Sequence, residues 1–214
     1  MALNINGTTG ISGVDGSVSA PAITGTDSNT GITFPSADTI KFSTGGVERM
    51  AVSNSGVTGI TQGITEVDQW GITTNQTSDT DPVTAFARVS GNGAASPLGT
   101  GMSVSSGIFT FPSTGKYLVY SKAKFSVNDS DSVAFNTLVT LDNSSYTVVT
   151  ACSDGLNGTG QNRDAGASTM YFLDVTDTSQ VKVKFSVSSL SSGSSMIGST
   201  TFTSGAIFIR MGDT

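Results

Sequence analysis

Val181-Lys182-Val183-Lys184-Phe185-Ser186-Val187 alternates apolar and polar side chains without a break. Successive side chains of a strand point to opposite faces, so this pattern predicts a strand with one buried and one solvated face. Comparable stretches recur along residues 64–214, at Thr65–Thr74, Val83–Val89, Gly101–Phe111, Lys116–Val127, Ser132–Leu141, Tyr146–Cys152, Ala167–Val175 and Thr200–Met211. Turn residues separate them at Asp79-Thr80-Asp81-Pro82, Pro112-Ser113-Thr114-Gly115, Asn128-Asp129-Ser130-Asp131, Asp142-Asn143-Ser144, Thr176-Asp177-Thr178-Ser179 and Ser192-Gly193. Nothing here has helical periodicity, and many short strands between regular turns predict a sandwich or barrel. The expected fold class is all-β, with a head long enough to bury one sandwich core.

Two of these strands break the alternation. Ala206-Ile207-Phe208-Ile209 is apolar throughout, and Met170-Tyr171-Phe172-Leu173 nearly so. Only one face of a sandwich strand meets its own core, so the other face is expected to meet a second subunit. Met170, Phe172, Ile207 and Ile209 are therefore candidate interface residues of a homotrimer. Trp70, the single tryptophan, is placed with them, since a lone Trp serves core or inter-subunit packing more often than sugar stacking.

Charged residues make up 12% of the chain against 36% hydrophobic ones, so Ser, Thr, Asn and Gly supply the polarity that exposed strand faces need. The net charge of −6 comes without a basic stripe, so no nucleic-acid partner is expected. No apolar run approaches the roughly 20 residues of a membrane-spanning helix, so membrane insertion is not expected. Met1–Gly7 lacks the basic and apolar regions of a secretory signal, which points to synthesis in a cytosol. The lone Cys152 lies in the β-branched run Tyr146–Cys152 and reads as a small buried hydrophobe.

Residues 1–33 set single aliphatics between glycines and cannot build a private core. They read as an extended attachment arm, with Leu3, Ile5, Ile11, Val14, Val18 and Ile23 as candidate docking residues. Residues 34–63 read as a β-hairpin stalk: a strand ending near Ser43, a Thr44-Gly45-Gly46 turn, a strand Val47–Val52, and an Asn54-Ser55-Gly56 turn into Val57. One hairpin is marginal in water, so the stalk needs copies of itself around it. Glu48-Arg49 reads as a surface ion pair.

Asp38–Gly56, with its strand, Gly turn, Glu-Arg strand and Ser-Gly turn, resembles a short module of phage tail-fibre proteins. Asn6-Gly7-Thr8-Thr9-Gly10-Ile11-Ser12-Gly13 likewise resembles the openings of fibre-like proteins of marine phages. These resemblances imply intertwined trimeric β-structure near a virion attachment point. They also imply a virion-surface location after assembly in a host cytoplasm. In the head, Phe109-Thr110-Phe111-Pro112-Ser113-Thr114-Gly115-Lys116-Tyr117-Leu118-Val119 is similar to the C1q/TNF-like signature. Thr201-Phe202-Thr203-Ser204-Gly205-Ala206-Ile207-Phe208-Ile209 resembles the last strand of that family. Phe109, Gly115, Tyr117, Phe202 and Gly205 would then be fold residues. Val119 and Ser121 stand where aromatics are usual, and one extra residue separates Phe202 from Gly205. The resemblance implies a C1q/TNF-like β-jelly-roll sandwich, homotrimeric, with first and last strands together at its base.

The chain has no histidine, which removes the His-based nucleophilic arrangements and the common zinc sets. Gly91-Asn92-Gly93 lacks the strand-to-helix setting of a dinucleotide site. No catalytic residues, metal or cofactor are expected; a glycosidase built on Asp pairs from separate loops is the weakest alternative. The Asp79-Thr80-Asp81 and Asp129-Ser130-Asp131 turns offer oxygen ligands, but without calcium-loop spacing they read as solvated turns. The polar, glycine-rich stretch Asp154–Gly166 is longer than its strands require. It is either a mobile connection or the candidate receptor loop, with Asn157, Arg163 and Asp164 exposed.

The expectation is thus a non-enzymatic structural protein of a phage virion, a short trimeric fibre or capsid decoration. Its partners would be itself and, through the N-terminal arm, other virion proteins. The alternative is a receptor-binding tip recognising a host surface glycan or protein.

Overall fold

Among the described residues alternating side chains become strands from the N-terminal to the C-terminal part of the chain, and no helix occurs. The computed structural model describes residues 4–6, 10–12, 15–59, 63–91, 93–128, 131–156, 162–199 and 201–214. In chain order the strands are β1 (Asn4–Asn6), β2 (Gly10–Ser12), β3 (Gly16–Ser17), β4 (Ala20–Pro21), β5 (Ile23–Thr24), β6 (Gly31–Ser36), β7 (Thr39–Thr44), β8 (Val47–Ser53) and β9 (Gly56–Thr58). They continue as β10 (Val67–Ile72), β11 (Phe86–Arg88), β12 (Ser103–Ser105), β13 (Ile108–Thr110), β14 (Gly115–Asn128), β15 (Asp131–Thr140), β16 (Thr147–Leu156), β17 (Asn162–Val175), β18 (Lys182–Ser188), β19 (Ser195–Met196) and β20 (Gly205–Gly212). They fall into two units, Met1–Gln62 and Gly63–Thr214.

In the C-terminal unit the first sheet runs β11-β10-β20-β14-β17, with β19 joined to β14, and the second runs β12-β13-β18-β15-β16. The chain changes sheet between β11 and β12, β13 and β14, β14 and β15, β16 and β17, β17 and β18, and β18 and β19, which makes the sandwich a jelly roll. First and last strands are neighbours, β10 pairing antiparallel with β20. The alternation of β14 is strict: Tyr117, Val119, Ser121, Ala123, Phe125 and Val127 point inward and the residues between them outward. Rings fill the centre, with Phe109 at 5.4 Å from Trp70, 5.0 Å from Phe86 and 5.1 Å from Phe208. Phe135 stacks on Phe185 at 5.3 Å. One buried polar pair is satisfied internally, Ser121 and Thr137 sharing a 3.1 Å hydrogen bond between the sheets.

The residues that carried the jelly-roll resemblance have physical roles in this frame. Phe109 and Tyr117 are buried, and the Tyr117 hydroxyl donates to the Ser113 carbonyl at 3.1 Å, anchoring the Pro112–Gly115 turn. Gly205 sits at φ +154°, where a β-carbon would lie 2.0 Å from the Trp70 carbonyl oxygen, so the first and last strands close only around a glycine. Phe202 differs: it is partly exposed on the surface rather than in the core.

Two expectations change. The single strand Gly101–Phe111 is a hairpin, β12 and β13, because Ser106 and Gly107 turn at φ +50° and +78°. Asp154–Gly166 is not a long loop: β16 runs to Leu156 and β17 starts at Asn162.

In the N-terminal unit β5 to β9 form an antiparallel meander in sequence order. Gly45 and Gly46 make the two-residue turn between β7 and β8, both at positive φ as a twist-compatible hairpin needs. Cross-strand pairs Ile23–Ile32, Ile32–Phe42, Phe42–Met50, Ile40–Val52 and Val52–Val57 gather the large apolar side chains on one face. Thr33, Ser43 and Ala51 on the other face are buried, on the side where the β3–β4 hairpin packs against β6. The change of character expected at residues 33/34 falls inside strand β6. Glu48 pairs with Lys41 across the strands at 2.6 Å and not with Arg49, whose Nε donates to Thr44 at 2.7 Å.

Candidate functional site

The outward residues of β10, β20, β14 and β17 in the first sheet form two cross-strand rows. Val67 stands opposite Ile209, Ile209 opposite Leu118, and Leu118 opposite Phe172. Next to it, Gln69, Ile207, Tyr120 and Met170 stand in register across the same four strands. In the single chain Met170 and Phe172 are 62% and 59% exposed. An apolar patch spanning four strands marks an interaction surface, whereas scattered exposed aliphatics do not. Four of the five residues expected at a subunit interface, Met170, Phe172, Ile207 and Ile209, lie together on this face. Trp70 does not. Its ring points into the sandwich, 7% exposed, packed on Phe109 and beneath the Arg88 guanidinium at 4.7 Å.

Beyond the apolar rows the same face turns polar. Lys122 stands opposite Ser168 and Lys124 opposite Gly166. Between them and the Thr201–Ser204 segment opens a cleft of about 600 Å³ lined by Tyr120, Lys122, Lys124, Asp164, Phe202 and Thr203, among others. The Lys122 ammonium lies 4.5 Å from the centroid of the Phe202 ring. Lys124 and Asp164 form an ion pair of 2.7 Å.

The residues of the expected receptor loop are redistributed. Asn157 lies outside the described residues. Arg163 and Asp164 are strand residues: the Arg163 guanidinium pairs with Asp154 and donates to the Gly155 carbonyl, holding β16 and β17 together at their ends. Asp164 instead faces the cleft. Of the attachment residues, Leu3 and Val14 lie outside the described residues, Ile5 and Ile11 pair across β1 and β2, Val18 lies in the β3–β4 turn and Ile23 in β5.

In the acidic turns Asp81 pairs with Lys184 at 2.7 Å, while Asp79 and Asp131 serve the backbone. Asp79 accepts from the Leu190 amide at 2.9 Å, and Asp131 from the amides of Ser132 and Ser191 at 2.9 and 3.1 Å. Among the described residues no group of three or more His, Cys, Asp and Glu is placed to hold a metal ion. Cys152 is buried, and desolvation pushes its thiol up to about 11.

One cluster has no signal in the sequence. Asp68, 3% exposed, accepts from Trp70 Nε1 at 2.9 Å, from the Met102 amide at 2.7 Å and from Arg88 through two guanidinium nitrogens. Glu66 accepts from the amides of Thr100 and Gly101 at 3.1 and 2.9 Å. Together these two carboxylates fasten the Leu98–Met102 segment to β10.

The sequence matches no family model and no curated protein. Among solved structures, murine APRIL at pH 8.5 superposes with a TM-score of 0.51 at 12% identity, covering 68% of this chain and 98% of that one. The Eiger TNF of S. frugiperda superposes with a TM-score of 0.54 at 15% identity, covering 72% of this chain and 96% of the other. The chain therefore carries a C1q/TNF-like jelly-roll domain.

Proposed function

We propose that this chain is a non-enzymatic structural protein of a phage virion, a short trimeric fibre or capsid decoration whose N-terminal unit docks on the particle. The observation that carries the self-association is the apolar face of the first sheet. Burying a large aliphatic or aromatic side chain is worth about 1.5–3 kcal/mol, while association costs about 4–15 kcal/mol. One such residue does not offset that cost, whereas two rows across four strands do. Three copies is the number that the C1q/TNF-like resemblance implies. The N-terminal meander supports the docking role, since Ile23, Phe34, Ile40, Val52 and Val57 remain between 37% and 49% exposed in the single chain. The virion setting rests on the phage-fibre resemblance of Asp38–Gly56.

Particles assembled with a chain lacking residues 1–62 test the docking. The expected result is particles without heads, with the freed heads in solution. Heads retained on such particles would overturn the role of the N-terminal unit. A second reading, a receptor-binding tip, is favoured by the cleft that borders the apolar face.

A further inference from the structure

We propose that the cleft between β14, β17 and the Thr201–Ser204 segment binds a carboxylated sugar unit of an acidic glycan, a site that rests on the receptor-binding reading of the head. Charge is the first argument. The protein carries a net −6, yet two lysines and one aspartate face this cleft, so the local balance is inverted. Lys124 is committed to Asp164, whereas Lys122 forms no ion pair among the described residues and is held over the Phe202 ring instead. An ammonium steadied in this way loses little freedom on meeting a carboxylate.

Shape is the second argument. Gly166 and Ser168 give the cleft a low floor, and Tyr120 offers a ring at the boundary with the apolar rows. The remaining wall is the Lys124–Asp164 pair, which sets an ammonium donor beside a carboxylate acceptor at 2.7 Å. Adjacent ring hydroxyls need that combination, each donating one hydrogen bond and accepting another. A volume of about 600 Å³ suits one or two sugar units.

Isothermal titration of the full chain with methyl β-glucuronide, methyl β-glucoside and inorganic phosphate tests this. The glucuronide is expected to bind about tenfold tighter than either of the others, the factor of one charge-assisted hydrogen bond. Lys122→Gln should bring the glucuronide down to the glucoside's affinity. Gly166→Val should weaken both sugars by raising the floor; the position has no positive φ, and its β-carbon would meet only the Ala123 carbonyl at 3.9 Å. Phosphate binding as tightly as the glucuronide would reduce the cleft to a simple anion site and overturn the proposal. Glucuronide affinity unchanged by Lys122→Gln would do the same, and because that residue is on the surface the result does not depend on a folding defect. Capture of neutral glycans in preference to acidic ones on an oligosaccharide array would also overturn it, while leaving the receptor-binding reading intact.

Discussion

Replacing Asp68 by alanine leaves Arg88, the Trp70 Nε1 and the Met102 amide without their shared acceptor. Arg88 is 41% exposed and recovers part of its solvation, so the expected loss is about 2–4 kcal/mol, below the cost of orphaning a fully buried charge. Denaturant unfolding followed through Trp70 fluorescence measures it, and an unchanged midpoint would contradict the role. Cys152 gives a second check. With its thiol at about 11, the folded protein at pH 8 should react with a disulfide reagent only as fast as it opens, and rapid stoichiometric labelling would contradict its burial. Asp142 gives a third. Hydrogen bonds from the Ser145 and Ser144 amides and the Thr140 hydroxyl hold its carboxyl well below the usual carboxylate range. A depressed carboxylate contributes fully above its unfolded value of about 3.9 and loses that contribution as pH falls toward the folded value. The Ser145 amide resonance should therefore keep its bonded position through pH 4 and shift only in stronger acid; a midpoint near 4 would contradict these bonds. Asp142 was readable as a turn residue because its partners are two and three residues away. Asp68 was not, because Arg88 and Met102 lie 20 and 34 residues along the chain, and only the closed sheet brings them to it.

The proposed association rests on β17 and β20. Phe172→Glu is expected to dissociate the assembly with little damage to the protomer, since that side chain already stands free of its own core. Ile207 is more enclosed, so Ile207→Asp should break the assembly and also destabilise the protomer by about 2 kcal/mol or more. Light scattering and near-ultraviolet circular dichroism separate these effects; full-size assemblies of Phe172→Glu would contradict the placement of the interface. Both strands were legible because apolar residues at consecutive positions violate the alternation that one buried face requires. The start of β17 was not, since Asn162 to Gly166 are polar or small and resemble a loop until β14 is seen pairing with them residue by residue. Phe202 was misplaced for a related reason: its sequence neighbourhood suits a strand, but β20 begins only at Gly205, which leaves the ring beside the cleft.

For the chain as a whole, the two units differ in what holds them. Gly63–Thr214 has a ring-filled core and should unfold cooperatively alone, whereas the β5–β9 meander leaves Ile23, Phe34, Ile40, Val52 and Val57 exposed on one face. If the outer face of the first sheet is a subunit contact, the intact chain exists in solution as three copies. Its mass by light scattering is the deciding measurement. The prediction is a species of three times the 21.7 kDa chain mass that persists on dilution and falls to single chains in Phe172→Glu. A stable, folded species of 21.7 kDa from the unaltered chain would contradict it.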